Sequence, residues 1–128
     1  MNILAWLTND SETGTDVRLT ITNQEDDTIW LARPRLGMNK MEGNFFQFES
    51  ANAIYLGRQV KRTEYDESEL VRLEREQSFG VLIELDSIYR IDPQDQTFRV
   101  RYSATHPLTS KNQPSDFVIS NWTEITKN

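Results

Sequence analysis

The chain has no cysteine. Disulfides, thiolate metal sites and a cysteine nucleophile are therefore excluded. It has one histidine, His106, so a zinc centre built on several imidazoles has no ligand set to draw on. Its five glycines never cluster, which leaves no loop to cradle a phosphate. No serine sits in the glycine pattern of a nucleophile elbow. No apolar run approaches the roughly 20 residues that a membrane-crossing helix needs. Basic side chains are also scarce, 14 against 20 acidic ones, and the net charge of −6 opposes binding to phosphate backbones. These absences predict a protein without cofactor, metal, nucleic acid, membrane span or catalytic activity.

What remains is an ordinary globular composition, 37% hydrophobic and 27% charged over 128 residues. That length suits one domain, residues 1–128, because two halves would each be too small to bury a core. The first residues are apolar but too short for a signal peptide, and no basic region precedes them. If Met1 is the native start, the expected location is the cytoplasm. If a signal peptide has been removed, it is the periplasm or the exterior.

The local patterns are those of strands. Val17, Leu19 and Ile21 alternate with Arg18, Thr20 and Thr22, the period of a half-buried strand. Similar stretches fall at 2–7, 28–32, 45–48, 53–61, 78–85, 97–102 and 117–125, separated by polar turns. The second and third stretches read as a hairpin across the polar turn 23–27. Residues 64–77 read as an acidic loop leading into a short strand at 70–73, with an exposed helix as the alternative, and 86–90 as one helical turn. The whole predicts an all-β fold, an Ig-like antiparallel β-sandwich of about seven to nine strands. A closed barrel is the structural rival.

Candidate functional residues are few. His106 precedes a proline in a polar stretch and reads as a solvated loop histidine. The carboxylates gather at 25–27, 64–76 and 92–95, where solvated turns account for them. Two sequons, at Asn9 and Asn121, read as incidental. Arg58, Lys61 and Arg62 form a basic island behind Tyr55 on an acidic protein, suited to a carboxylate-bearing partner. Arg33 and Arg35 make a second, smaller island. Phe45, Phe46 and Phe48 cannot all face inward from one regular strand, because neighbours alternate faces. An outward phenylalanine, Phe46 above all, would anchor an interface; a bulge would bury it instead.

The order of several segments carries a resemblance. These are Tyr55-Leu-Gly-Arg-Gln-Val-Lys-Arg62, Glu69-Leu-Val-Arg-Leu73, Asp86-Ser-Ile-Tyr89, Phe98-Arg-Val-Arg-Tyr102 and Ile119-Ser-Asn121. Together with Leu19-Thr-Ile-Thr-Asn23 and Arg33-Pro-Arg-Leu-Gly37, they resemble the N-terminal propeptide-type domain of deuterolysin-like (aspzincin) metalloendopeptidases, including the lysine-specific ones. The catalytic domain of that family, with its His-Glu-x-x-His helix, is absent, so no peptidase activity is implied. The family's Pro-Gly-Glu turn is replaced here by Glu74-Arg-Glu-Gln77. The resemblance implies a stand-alone module that binds a zinc metalloendopeptidase as inhibitor or folding chaperone. Tyr55, Arg58, Lys61, Arg62 and Phe46 are the expected contacts. The rival expectations are an immunity or scaffold protein sharing only the sandwich, and a carbohydrate-binding sandwich with exposed aromatics.

Overall fold

The computed structural model describes residues 2–11, 14–37, 41–60, 62, 64–109 and 116–127. The fold is an all-β sandwich of antiparallel sheets. One layer is β1 (Ile3–Asn9), β2 (Asp16–Asn23) and β7 (Ser78–Glu84), in the order β1-β2-β7. Its inward face carries Ala5, Leu7, Val17, Leu19, Ile21 and Ile83, all buried, as alternation requires. Its outer face carries Leu4, Trp6 and Leu82, which are about half exposed. Trp6 is thus strand-borne without being embedded.

The opposite layer is organised by β9 (Thr97–His106), the longest strand. Every second residue points inward: Phe98, Val100, Tyr102, Ala104 and His106. One edge of β9 pairs with β4 (Phe46–Glu49). Its other edge pairs with β11 (Thr123–Thr126) along 97–100 and with β10 (Asp116–Ile119) along 103–106. The predicted strand over 117–125 is therefore a single neighbour of β9 with a break in its middle. At the break Tyr102 N donates to Ser120 Oγ at 2.9 Å and Ser120 N donates to Tyr102 O at 2.9 Å. This jog turns Asn121 out of the ladder.

Two further pairs complete the walls: β3 (Ile29–Ala32) with β6 (Leu70–Leu73), and β5 (Ala53–Tyr55) with β8 (Tyr89–Ile91). Counting β8 and the divided last segment, eleven strands are formed among the described residues. A single helical turn, α1 (Leu85–Ile88), leads into β8, and a 3₁₀ turn at Glu67–Glu69 leads into β6. The helical turn expected at 86–90 is formed at 85–88, and the short strand expected at 70–73 is β6; the 3₁₀ turn was not foreseen. The expected β2–β3 hairpin does not form, because β2 pairs with β1 and β7 while β3 pairs with β6. The cause is Asn23, fully buried at the end of β2. Its amide donates to Asp27 O at 2.9 Å and Leu73 O at 3.0 Å, and its oxygen accepts from Glu25 N. The chain thereby crosses to the other layer instead of folding back.

Asn121 does the corresponding work at the other end. Its Oδ1 accepts from Leu7 N at 2.7 Å and its Nδ2 donates to Leu7 O at 3.0 Å. One side-chain amide thus supplies a ladder pair to the edge of β1 and joins the two layers. An amide engaged in this way is not free for glycosylation. Asn121→Ala leaves the Leu7 N–H and C=O without partners and is expected to destabilise the domain by about 2 kcal/mol. A urea midpoint unchanged from the wild type would show that the contact contributes nothing.

Candidate functional site

The candidate site begins where β5 ends. Past Tyr55 the ladder lasts one more bond, Leu56 N to Ile88 O at 2.9 Å, and residues 56–60 then run irregularly along the surface. The Tyr55 ring folds back over Gly57: a Cβ there would lie 2.4 Å from the phenol oxygen and 2.7 Å from Cζ. Only glycine permits that approach. The phenol oxygen lies 3.1 Å from Met41 O and 2.9 Å from Arg58 O, and it has one proton to donate between them. Burial, with the Glu42 charge second, raises the Tyr55 pKa. Val60 N donates to Glu42 O at 2.7 Å and secures the far end of the segment.

Between this segment and the body lies an open cleft of about 700 Å³. Pro34, Met41, Leu56, Val60 and Ile88 give it apolar walls; Leu56 is 55% exposed and Val60 41% exposed. Glu42, Arg62 and Glu69 supply the charged part of the lining, here called its floor, and Tyr55, Gly57, Arg58 and Ser87 complete it.

The floor is a chain of charges supported from behind. Glu42 is buried, and its Oε1 lies 3.0 Å from Arg35 Nε. It also accepts the Tyr65 hydroxyl proton. Arg35 Nη1 donates to Thr105 Oγ1 at 2.8 Å, and its guanidinium covers the Phe45 ring at 5.1 Å. On the cleft side, Arg62 Nη1 is 3.9 Å from Glu42 Oε2, too far for a hydrogen bond. Arg62 turns its donors to Glu69 in a bidentate pair, with Nη1 2.7 Å from Glu69 Oε2, and stacks on Tyr65 at 4.5 Å. Glu69 is oriented by the capping box that Asp66 opens on the Glu67–Glu69 turn. The Arg62 hydrogen bond lowers the Glu69 pKa, and the same bond raises that of Arg62. Glu42 goes the other way: the cost of burying its charge outweighs both arginines and raises its pKa.

Arg35 is in turn held by His106. The sequence expectation of a solvated loop histidine is overturned, because His106 is fully buried as the last inward residue of β9. The apolar alternation seemed to end at Tyr102, but small Ala104 continues it. Ala32 N donates to His106 Nδ1 at 2.9 Å, so that nitrogen is unprotonated and the ring proton sits on Nε2. Nε2 then donates to Tyr102 Oη at 2.7 Å, and the Tyr102 hydroxyl donates to Arg35 O. Burial and the nearby Arg35 charge push the His106 pKa down to about 3.

Of the residues nominated from sequence, Tyr55, Arg58 and Arg62 line one cleft. Lys61 lies outside the described residues. Phe46 is corrected: it is 3% exposed and cannot anchor a partner. Phe45 precedes β4 instead of belonging to it, so alternation no longer forces either ring outward. The Phe46 ring packs edge-on against Tyr102 at 5.4 Å. Glu42, Leu56 and Val60 were not foreseen. Glu42 finds its partners on Arg35 and Tyr65, and no local spacing announces a contact of that kind. The exposed Leu56 and Val60 were concealed by reading 53–61 as one strand. Among the described residues no three His, Cys, Asp or Glu side chains form a metal cluster, and no helix is long and apolar enough to cross a membrane. The chain matches no protein-family model and no curated protein.

The His106 environment fixes a pH dependence. An unfolded histidine protonates near pH 6.5, whereas the folded one stays neutral down to about 3. Below pH 6.5 the unfolded state therefore binds the extra proton, and stability falls as pH falls through that window. Between pH 7.5 and 5.0 the expected loss from this group is about 2 kcal/mol. Urea unfolding across that range checks it against His106→Gln, whose profile is expected to be flatter by that amount. Parallel profiles would show that the folded histidine is not held neutral.

Proposed function

We propose that this domain is a non-catalytic protein-binding module that takes a segment of another protein in the cleft beside residues 56–60. The observation that carries this reading is the pair of aliphatic side chains, Leu56 and Val60, left in solvent on the cleft wall. Among the described residues Leu4, Trp6, Ile54, Leu82, Phe117 and Ile119 are exposed as well, but Leu56 and Val60 are the two that line the cleft. Concave, largely apolar walls with a few convergent polar groups are the usual form of a binding site. Arg58 stands at the cleft with an exposed guanidinium and suits an acidic residue of the partner. The sole histidine, sealed in the core with both ring nitrogens engaged, offers no acid or base to a substrate.

The partner class comes from the resemblance to the propeptide-type domain of deuterolysin-like enzymes. The proposed partner is a zinc metalloendopeptidase, which the module inhibits or helps to fold. The segment from Tyr55 to Arg62 that carries much of that resemblance also forms one wall of the cleft.

Leu56→Asp and Arg58→Glu alter exposed side chains and are expected to change stability by no more than about 0.5 kcal/mol. Each is expected to weaken partner binding at least about tenfold. The check is titration of a purified deuterolysin-type peptidase with wild-type and variant domains, following both its activity and its refolding yield. Binding unchanged in both variants would remove the cleft from the interface. No binding to the peptidase by the wild type would remove that partner class and leave the module's partner to be sought elsewhere.

A further inference from the structure

Two buried side-chain oxygens among the described residues have no hydrogen-bond partner: Thr15 Oγ1 and Glu42 Oε2. Thr15 does not line the cleft, whereas Glu42 does. The orientation of Glu42 follows from its neighbours. Its Oε1 is taken by Arg35 and Tyr65, neither of which lines the cleft. Its Oε2 is on the side of Arg62, which does. The unpartnered oxygen is therefore the one nearest the cleft. Arg62 is close enough to stabilise its charge but makes its hydrogen bonds to Glu69 and to Glu64 O. A buried carboxylate oxygen that has a nearby cation and no donated proton is incomplete.

The kind of group that would complete it is limited by charge. Glu42 and Glu69 already balance Arg35 and Arg62 across the floor. A lysine or arginine entering here would leave an uncompensated positive charge in a desolvated place, beside Arg62. A carboxylate would face Glu42 directly. An uncharged N–H or O–H donor meets neither penalty. Met41, Leu56, Val60 and Ile88 line the same cleft as Glu42, so its stem should be apolar.

We infer that the cleft is a recognition pocket for one side chain of the partner segment, with an apolar stem and an uncharged donor at its tip, a carboxamide or a hydroxyl, received by Glu42 Oε2. This rests on the protein-binding reading above and adds to it what the cleft selects. Arg58, outside the floor, takes an acidic residue of the same segment. The recognised sequence is thus a Gln, Asn, Ser, Thr or Tyr at a fixed distance from an Asp or Glu.

The test is selection of displayed random linear peptides on the full folded chain at neutral pH, with counter-selection on Leu56→Asp. Enriched peptides are expected to share an uncharged donor side chain at fixed spacing from a carboxylate. Replacing that donor residue by alanine in a synthetic peptide is expected to weaken binding roughly tenfold to a hundredfold by calorimetry. The alteration is on the peptide, so the fold of the domain is not at stake. Peptides that need the cleft but carry lysine or arginine at that position, or that tolerate alanine there, would overturn the inference and leave the binding site standing. If no peptide is enriched, or enriched peptides bind Leu56→Asp equally well, the cleft is not a peptide site and both proposals fall.

Discussion

The uncharged imidazole of His106 is the constraint on which the rest of the site depends. It sits on β9, the strand against which β4, β10 and β11 all pair, and its two ring nitrogens give it a direction. Nδ1 receives the Ala32 N–H at the end of β3, and Nε2 passes a proton to the Tyr102 hydroxyl, which reaches Arg35 O. The 3₁₀ turn Arg33–Arg35 is thereby fixed at both ends to the core strand. A protonated ring would lose the bond from Ala32, because Nδ1 would no longer accept. It would also place a second positive charge near Arg35. Burial and that charge act together to keep the ring neutral.

From this anchor the site is built outward in steps, each of which needs the one before. The fixed turn presents Arg35, which holds Glu42 with Tyr65; Glu42 in turn ties residues 56–60 through Val60 N. Removing both members of such a buried charge pair for packed apolar residues often costs little, whereas removing one costs several kcal/mol. The pairs are therefore weak evidence for stability and better evidence for placement. Tyr65 makes the same point from the packing side. Its small cluster with Ala32 and Leu70 is separate from the main core and lies under the charged floor.

The layers were legible in the sequence because β-strands announce themselves by alternation. Val17, Leu19 and Ile21 face in just as their spacing requires, and so do Phe98, Val100 and Tyr102. What escaped was whatever a side chain does to interrupt a ladder. Asn23 diverts β2 away from a hairpin, and Ser120 with Asn121 divides the last strand, yet neither residue looks unusual in a polar turn. His106 was misplaced because a histidine after Ala104 and before Pro107 reads as loop, while its partners are set by a distant turn. The basic residues at 58 and 62 were noticed, and Tyr55, Arg58 and Arg62 do share one cleft. Their opposites were not, because Glu42 meets Arg35 and Arg62 only after the chain has folded.

Several of the places where local rules are broken fall at the cleft. Gly57 has no Cβ at the end of a strand, and the Tyr55 ring lies in the space that a Cβ would fill. Leu56 and Val60 stand in solvent within five residues of each other, although the core is closed by Phe46, Phe98 and Tyr102. A buried carboxylate oxygen lacks a donor beside them. The exposed aliphatic area and the incomplete buried charge each cost stability. A sequence selected only to fold would relieve them separately, by polar residues at 56 and 60 and a neutral one at 42. Exposed apolar side chains and an unpartnered buried oxygen also occur elsewhere, at Trp6, Phe117 and Thr15, but at this concavity the two kinds of departure meet, and that marks it as a binding surface.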